Sequence, residues 1–514
     1  MRSIPQSGAL LVLSLAILAT AVPARASSPL DGRIANGLPT QQYPSTGYLI
    51  LPGALGVGFC SGVLIGCQTF LTAAHCICTD DSGTTFTGAD CIQKHPELLN
   101  PAGKDVFLQN AGNFAVQSIA VDPDFDFGVR GDFAVLKLKT TVTGVAPSPL
   151  DTTARPASGS SGTIVGFGLS GGNAFDVGIK RAGKVVTSTC PTNLVPDSTH
   201  VCWAYETPLG APGTDSDTCE GDSGGPLFVD LGQGPVLAGI TSGGDTNCVP
   251  TDHSFDADVF VHRAFLTAAG GADLGSASCG GLLAAGGAGT SVVTGSGTLS
   301  ATTTLKRFTV NVPAGTERLR VTLNNTADSD FDLYIRQGAN ATPTVNDCKS
   351  ESGLYPDACD ILSPAPGPWN VLVLRADGNG DFQMTATLYA ERTVTPGPCI
   401  PSDTATCLGA GGRFKVEATW KTGAGAAGPA HAVPLTTDSG YLWFFDANNV
   451  EAIVKVLDAC SFSGHFWVFA GGLTNVETTL TVTDTQAGVV RTYFNPQNTA
   501  FQPLQDTAAF ATCP

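Results

Sequence analysis

Short apolar runs separated by glycine and proline clusters restrict this chain to β-structure. The first half contains runs such as residues 62–65 and 133–136, and later segments alternate apolar and polar residues, as at residues 308–312, 318–323 and 453–457. Alternation with a period of two places one face of a strand in a core. The 62 Gly and 33 Pro supply turns between such strands. Because long helical patterns are absent from the sequence, we expect an all-β fold.

The length of the chain predicts several domains. A chain of 514 residues is long enough for about three hydrophobic cores. We expect a first domain at residues 34–272, followed by a flexible Gly/Ala/Ser-rich linker at residues 273–297. Two β-sandwich domains are then expected at residues 298–392 and 393–514.

The charge balance excludes some classes of partner. The sequence has 26 Lys and Arg against 44 Asp and Glu, for a net charge of −18. Phosphate groups of nucleic acids and anionic lipids are repelled by such a surface. We therefore expect no nucleic-acid partner.

The amino terminus predicts export. Arg2 precedes an apolar run of 13 residues at 9–21, and Ala24-Arg25-Ala26 has the small residues that signal peptidase reads, so residues 1–26 are the predicted signal peptide. The apolar run is shorter than the ~20 residues of a membrane-spanning helix. We expect a secreted protein, extracellular or periplasmic in transit, with no stable membrane insertion. In that compartment the 16 Cys are expected to form disulfides.

Three short segments carry the side chains of nucleophilic acyl transfer. They are Leu-Thr-Ala-Ala-His-Cys at 71–76, Gly-Asp-Phe-Ala-Val-Leu at 131–136 and Gly-Asp-Ser-Gly-Gly-Pro at 221–226. A serine hydroxyl is a weak nucleophile, so it needs an imidazole base and a carboxylate that orients the base. We predict that Ser223, His75 and Asp132 fill these roles. The neighbouring glycines let the backbone amides of Gly221 and Ser223 approach a substrate carbonyl as an oxyanion hole.

These motifs, in the order His, Asp, Ser, resemble those of the trypsin/chymotrypsin family of serine proteases. The resemblance covers about 240 residues. It implies two packed β-barrels with the catalytic groups in the cleft between them. It also implies an endopeptidase that forms an acyl-enzyme on Ser223, by the mechanism for which this family is itself the reference case.

The resemblance extends to substrate specificity. Asp217, six residues before Ser223, matches the base of the family's primary specificity pocket, which implies cleavage after Arg or Lys. Ser242 and Gly244 match the substrate-binding strand. Two positions depart from the trypsin pattern: Gly243 replaces an apolar Trp, and Ser254 replaces a Gly of the pocket wall. The preference between Arg and Lys stays open.

A matched activation site predicts a zymogen. Arg33-Ile34 resembles the family's activation bond, although Ala-Asn follows where Val-Gly is commoner, and residues 27–33 are the expected propeptide. The resemblance implies that cleavage frees the Ile34 amine, which then pairs with the carboxylate of Asp222 and orders the nucleophile loop. Arg33 is itself a basic residue, so the activation bond fits the expected specificity for Arg or Lys. We therefore hypothesise that the mature enzyme activates the zymogen.

The cysteine spacing agrees with the family. The resemblance implies three bridges, Cys60–Cys76, Cys190–Cys202 and Cys219–Cys248. Spacing does not fix the remaining pairs of the first domain, for which Cys78 with Cys91 and Cys67 with Cys279 are candidates. Further candidates in the later domains are Cys348 with Cys359, Cys399 with Cys407, and Cys460 with Cys513.

The second block resembles the bacterial pre-peptidase C-terminal domain. The resemblance rests on residues 308–315, residues 330–336 and the loop between Cys348 and Cys359, and it implies a bacterial source. Acidic strings at residues 328–332 and 377–381 lack the Gly and Glu of an EF-hand loop, so turn chemistry explains them better than calcium. We expect no metal and no cofactor.

The third block has aromatic stripes that allow two interpretations. Residues 441–446 and 464–469 could form a sugar-binding platform, but a sandwich core explains them better. The overall expectation is a monomeric secreted endopeptidase acting on protein or peptide substrates. The alternative is an adhesion protein with a degenerate protease domain, which the intact His75, Asp132 and Ser223 disfavour.

Overall fold

The computed structural model describes most of the chain after residue 33. The described residues are 34–53, 56–171, 176–206, 210–232, 234–245, 247–274, 279, 282–353, 356–495 and 497–514. The predicted signal peptide, the propeptide and Arg33 lie outside them. The predicted all-β class is confirmed, because strands account for nearly all the regular structure.

A closed six-stranded barrel forms the first half of the first domain. After a short strand β1 (Leu38–Pro39), the barrel strands are β2 (Thr46–Gly53), β3 (Gly56–Gly66), β4 (Thr69–Thr72), β5 (Asp105–Leu108), β6 (Gly112–Val121) and β7 (Ala134–Leu138). They close in the order β2-β3-β4-β7-β6-β5. Buried Leu49, Phe70, Val106 and Leu136 fill the interior, as the alternation of small apolar and polar residues requires.

A seven-stranded sheet forms the second half of this domain. Its strands are β8 (Ser161–Gly166), β9 (Arg181–Val186), β10 (His200–Ala204), β11 (Pro226–Asp230), β12 (Pro235–Gly244) and β13 (His253–Asp258), together with β1. The order is β1-β9-β8-β11-β12-β13-β10. The barrel and this sheet together confirm the predicted trypsin-like fold.

Helices are few and short in the described residues. They are α1 (Gly88–Lys94) and α2 (Arg263–Gly270) in the first domain and α3 (Cys460–Ser463) in the third, with 3₁₀ turns at Pro96–Leu99, Gly271–Asp273 and Ala410–Gly412. Thr87 caps α1, since its side chain accepts from the backbone N–H of Asp90. No helix of the described residues is long and apolar enough to cross a membrane.

The second domain is a sandwich of two four-stranded sheets. Its strands are β14 (Thr290–Leu299), β15 (Leu305–Val312), β16 (Thr316–Asn325), β17 (Asp330–Gln337), β18 (Cys348–Ser350), β19 (Asp357–Leu362), β20 (Gly367–Asp377) and β21 (Gly380–Ala390). The sheets have the orders β14-β21-β16-β19 and β15-β20-β17-β18. Val321, Leu333, Val371 and Met384 meet between them.

The third domain is a second sandwich. Its strands are β22 (Arg392–Thr393), β23 (Ala405–Leu408), β24 (Phe414–Lys421), β25 (Ala427–Pro429), β26 (His431–Pro434), β27 (Ser439–Trp443), β28 (Ala452–Ala459), β29 (His465–Gly472), β30 (Glu477–Asp484), β31 (Val489–Asn495) and β32 (Leu504–Phe510). One sheet runs β22-β31-β30-β24-β23 with β25 beside β24, and the other runs β26-β27-β28-β29-β32.

The predicted linker at residues 273–297 differs from the structure. Strand β14 begins at Thr290 and pairs along its whole length with β21, so residues 290–297 belong to the second domain. Cys279, also within the predicted linker, is bonded to Cys67. Small residues suggested flexibility, but they fit close packing here: a Cβ on Gly295 would lie 2.5 Å from the ring of Phe308. Strand β22 starts at Arg392, one residue before the predicted third domain.

All 16 cysteines form disulfides, as expected for an oxidising compartment. The three bridges that the resemblance implies are present, and so are the candidate pairs: Cys60–Cys76, Cys67–Cys279, Cys78–Cys91, Cys190–Cys202, Cys219–Cys248, Cys348–Cys359, Cys399–Cys407 and Cys460–Cys513. The bridge from Cys60 to Cys76 joins β3 to the segment that carries His75.

Candidate active site

Two adjacent barrel strands bring His75 and Asp132 together. Strand β4 ends at Thr72, three residues before His75, and pairs with β7, which begins two residues after Asp132. The Nδ1 of His75 lies 2.7 Å from Oδ2 of Asp132, and the His75 backbone N–H donates to Oδ1 at 2.8 Å. Ser242 donates its hydroxyl to Oδ2 at 2.6 Å. Because Asp132 accepts from Nδ1, the other ring nitrogen, Nε2, is left with a lone pair that can accept a proton.

The loop carrying Ser223 packs against the strand that leads to His75. A Cβ on Gly224 would lie 2.1 Å from Oγ1 of Thr72, so only glycine permits this approach. The Gly224 backbone is in the left-handed region, with φ of 81°. Next to His75, the Sγ of Cys76 lies 3.9 Å from the carbonyl oxygen of Ser223. The Ser223 hydroxyl makes no hydrogen bond to a described residue, which is common in the absence of substrate.

The backbone around Ser223 exposes two amide donors. The carbonyl oxygen of Gly221 accepts from the N–H and the hydroxyl of Ser61, at 3.2 and 2.9 Å. This orientation is reached with φ of 90° at Gly221. Among the described residues, nothing accepts from the amides of Gly221 and Ser223. The predicted oxyanion donors are therefore unpaired and belong to the same turn.

Asp222 lies beneath this turn as a buried carboxylate. Its Oδ1 accepts from the backbone N–H of Gly168 at 2.8 Å, and its Oδ2 from that of Cys219 at 3.0 Å. A Cβ on Gly166 would lie 2.1 Å from Oδ1, so the loop and β8 are in close contact. Burial raises the pKa of Asp222 to about 7, although Arg181 opposes the shift.

The segment after Arg33 is inserted into the first domain. Ile34 is 1% exposed and packs with Ile164, Trp203 and Leu227. The next residue, Ala35, accepts at its carbonyl from the backbone N–H of Asp217 at 3.0 Å. In this uncut chain no hydrogen bond or ion pair joins Ile34 to Asp222 among the described residues. The structure thus brings the activation segment to the predicted pocket but forms no ion pair with Asp222.

The predicted pocket residue Asp217 is fully buried, and one of its oxygens has no partner. Oδ1 accepts from Nε1 of Trp203 at 3.1 Å and from the hydroxyl of Ser254 at 2.5 Å. Oδ2 meets no donor among the described residues. Burial raises the pKa of Asp217 to about 7. Ser254, which stands where trypsins have Gly, therefore binds the carboxylate of Asp217 directly.

A second buried carboxylate lies near Asp217. Asp256, also on β13, has 0% exposure, and the Thr241 side chain is its hydrogen-bonding neighbour among the described residues. Burial raises its pKa well above the ordinary value, and the nearby Asp217 charge raises it further. Two buried carboxylates this close together, with Oδ2 of Asp217 unpartnered among the described residues, favour a cation.

Gly243 is explained by the strand opposite. In the β12–β13 pairing Gly243 faces Phe255, and a Cβ at Gly243 would lie 2.7 Å from the Phe255 ring. The ring of Phe255 thus occupies the space that a side chain at Gly243 would need. Ser242 and Gly244 flank this position, and Gly244 pairs with Ser254.

Sequence reasoning missed Trp203 and Asp256. Trp203 directly follows the bridged Cys202, and its ring lies in the same cluster as Ile34 while its N–H holds Asp217. Asp256 is two residues after Ser254, so the period of a strand places both on one face. That period was the available signal for Asp256.

One His/Cys group in the described residues has metal-like proximity but the wrong chemistry. Ligand atoms of Cys60, His75 and Cys76 all lie within 4.8 Å of one another. The two cysteines are bonded to each other. A disulfide offers no thiolate, so this group does not suit a metal ion.

Comparisons with known proteins agree with this geometry. The Trypsin family matches residues 39–265, and the Bacterial pre-peptidase C-terminal domain family matches residues 304–375. A trypsin of Saccharopolyspora erythraea is 28% identical over 213 residues, which cover 40% of this chain and 83% of that protein. A trypsin-like protease of Streptomyces glaucescens is 29% identical over 242 residues, covering 44% and 79%. Serine protease 56 of Mus musculus is 32% identical over 232 residues, covering 42% of this chain but 35% of that protein.

Proposed function

We propose that this chain, whose residues 39–265 form a trypsin-family protease domain, is a secreted serine endopeptidase that cleaves after Arg or Lys. The observation that carries the proposal is the set of three hydrogen bonds on Asp132, from the His75 backbone, His75 Nδ1 and Ser242. They fix the orientation of the His75 ring, and the Ser223 backbone lies beside the neighbouring Cys76. An orienting carboxylate with this geometry is what a serine nucleophile requires.

The proposed reaction proceeds through an acyl-enzyme. The Ser223 oxygen attacks the scissile carbonyl carbon while Nε2 of His75 takes the hydroxyl proton. The carbonyl oxygen becomes anionic and accepts from the amides of Gly221 and Ser223, which have no other described acceptor. Collapse breaks the C–N bond, and His75 gives its proton to the leaving amine. Water then repeats the sequence and frees Ser223.

The pocket supports a cationic substrate side chain. A guanidinium or ammonium group entering beside Asp217 would supply donors to its unpartnered Oδ2, and it would compensate the nearby Asp256. Pairing a buried carboxylate in this way recovers the energy of an otherwise uncompensated charge. An apolar substrate side chain would leave Asp217 and Asp256 without a cation, so the binding of apolar substrates is disfavoured.

We also propose a zymogen activated at the Arg33-Ile34 bond. Ile34 is already buried beside Trp203, and its neighbour Ala35 is bonded to Asp217. Cleavage would add an ammonium group at Ile34, and Asp222 is a buried carboxylate that accepts hydrogen bonds from two backbone amides. A trace of mature enzyme should remove residues 27–33 from a purified Ser223→Ala proenzyme. If the proenzyme stays intact after this addition, activation requires another protease.

Ester hydrolysis tests the function. Processed protein that begins at Ile34 should hydrolyse small Arg and Lys esters, and Phe esters at least about 100-fold more slowly, since a buried unpaired carboxylate costs 3 kcal/mol or more. The Ser223→Ala variant is the matched control and should lose the activity. Absence of Ser223-dependent hydrolysis in correctly processed protein would reject the proposal. Faster cleavage of the Phe ester would reject only the specificity.

A further inference from the structure

The second domain has a polar sheet face that is buried. On β16, the residues that alternate with the core positions are Arg320, Thr322 and Asn324, and on β21 they are Gln383, Thr385, Thr387 and Tyr389. All seven are at most 7% exposed. In an isolated sandwich such a face would be solvated, because alternating polar residues are typical of the outer face. Here the first domain covers it.

Hydrogen bonds between side chains join the two domains at the centre of this interface, although Oε1 of Gln109 and Oγ1 of Thr385 have no partner among the described residues. Asn324 and Gln383 are cross-strand neighbours, and Asn324 donates to Oε1 of Gln383 at 3.1 Å. Gln109 of the first domain donates to Oδ1 of Asn324 at 3.1 Å and to Oε1 of Gln383 at 2.8 Å. All three side chains are buried. Buried polar groups that are paired this way hold one relative arrangement of two surfaces.

Asn324 and Gln383 also form hydrogen bonds to the backbone of residues 177–180. Gln383 accepts from the N–H of Lys180 at 2.9 Å and donates to its carbonyl at 3.1 Å, as a neighbouring strand would. Asn324 donates to the carbonyl of Gly178 at 2.7 Å. The backbone N–H of Ala327 donates to the carbonyl of Val177 at 2.9 Å. Four hydrogen bonds thus fix this segment to the second domain.

Residues 177–180 are connected to the nucleophile loop by further hydrogen bonds. Arg181, which follows them, is fully buried and donates to the carbonyl oxygens of Gly168 at 3.1 Å and Ile179 at 2.9 Å. The backbone N–H of Gly168 donates to Oδ1 of Asp222 at 2.8 Å. Asp222 lies between the two residues whose amides form the proposed oxyanion hole. A continuous chain of contacts therefore joins the second domain to the catalytic turn.

We propose that Gln383 and Asn324 are positioning residues of the protease, which hold residues 177–181 and, through Gly168, the Asp222 turn in its catalytic geometry. The second domain is then a working part of the enzyme and stays attached in the active form. This inference rests on the proposed function. It is distinct from a role in secretion, because it requires contact with the folded first domain.

The test uses full-length processed protein and the Gln383→Met variant, which keeps the side-chain length and removes the hydrogen bonds. Loss of one oxyanion donor lowers kcat by 10²–10³-fold, and displacement of the turn should have part of that effect. We expect kcat on an Arg ester to fall about ten-fold or more, with KM changed less than about three-fold. Gln337→Ala, an exposed glutamine of the same domain, is the control and should leave both unchanged.

Two further measurements separate positioning from mere stability. The alkaline limb of the pH–kcat/KM profile should move to lower pH in Gln383→Met, because a displaced Asp222 retains the Ile34 ammonium less well. Asn324→Leu should have the same effect and provides a second variant if the first does not fold. The inference would be overturned if Gln383→Met and Asn324→Leu lose thermal stability but have the same kcat and the same alkaline limb as the control Gln337→Ala.

Amide hydrogen exchange distinguishes this inference from the proposed function. In a Ser223→Ala background, Gln383→Met should speed exchange in residues 167–171, 176–181 and 219–224, whether or not the protein is a protease. Unchanged exchange at 219–224 overturns the coupling even if the enzyme is active. Faster exchange in a chain without Ser223-dependent hydrolysis would retain the coupling and reject the protease.

Discussion

The substitution Asp217→Asn should remove the proposed protease activity and also raise the unfolding free energy relative to the parent protein. Asp217 is fully buried, and burial raises its pKa from the ordinary 3.8 to about 7. A raised carboxyl pKa means that the folded state prefers the protonated form. The stability that Asp217 contributes is therefore complete below pH 4 and is lost as the pH rises toward 7, where the folded protein must bury the charge.

The two pKa values give the size of the effect. A difference of about 3 pK units corresponds to about 4 kcal/mol once the pH exceeds both values. The difference in unfolding free energy between Asp217→Asn and the parent should grow by about 3 kcal/mol from pH 5 to pH 8. In a domain of this size that is a relative rise in Tm of about 5–10 °C. The asparagine keeps an oxygen for Trp203 and Ser254, so the comparison isolates the charge.

Calorimetry in a Ser223→Ala background, which prevents autolysis, measures this change. Asp81→Asn is the matched control, because Asp81 is exposed and should show no such pH dependence. In the active background Asp217→Asn should lower kcat/KM on an Arg ester by at least about 100-fold, the cost of breaking a buried ion pair. An equal stability difference at pH 5 and pH 8, or an Arg-ester activity that survives, would refute the argument that Asp217 is an uncompensated pocket charge.

Three other substitutions give independent tests. Asp256→Asn should raise thermal stability at alkaline pH in the same direction as Asp217→Asn, and lower kcat/KM on Arg esters about ten-fold in a steady-state assay without affecting a Phe ester. Ser242→Ala removes one of three hydrogen bonds to Asp132 and should lower kcat about ten-fold with KM nearly unchanged, as a bond to a charged group is worth 1.5–3 kcal/mol. Burial lowers the pKa of Lys180 from 10.5 to about 7, so the parent loses stability as the pH falls from 10.5 to 7. The Tm of Lys180→Met relative to the parent should therefore rise as the pH falls from 10.5 to 7. A Tm difference that stays constant over this interval would contradict the lowered pKa of Lys180.

The sequence predicted what short motifs and strand periodicity encode. Alternation in segments such as residues 453–457 predicts which side of β28 is buried, because Val454 and Val456 are buried while Ile453 and Lys455 are exposed. The motifs around His75, Asp132 and Ser223 predicted a catalytic group of three; the structure joins His75 to Asp132, and the role of Ser223 stays a prediction. The cysteine pairs followed from spacing and resemblance.

The parts that escaped prediction depend on contacts between distant segments. Trp203 is an ordinary apolar strand residue in sequence. It pairs with Ser254 across β10 and β13, and both side chains donate to Asp217, which lies on neither strand. The polar alternation of β16 predicts a solvated face, since a single sequence does not show that another domain covers it. Residues 290–297 were predicted as a linker because small residues permit both flexibility and close packing.

The charges of the site suggest why activation and substrate binding should reinforce each other. In the uncut, unliganded chain, Asp217 and Asp222 are both buried, and burial raises both pKa values to about 7. Under the proposed function, one carboxylate receives the substrate cation and the other receives the Ile34 ammonium. Asp217 and Asp222 lie on either side of Cys219, which is bonded to Cys248, so ordering this short stretch for one cation reduces the ordering cost for the other. Linkage then makes two requirements. A small aryl amidinium ligand must bind the processed form more tightly than it binds the Ser223→Ala proenzyme, and the free energy of this preference must equal the free energy by which the bound ligand stabilises the inserted Ile34. Equal affinity for the two forms would show that the carboxylates act independently.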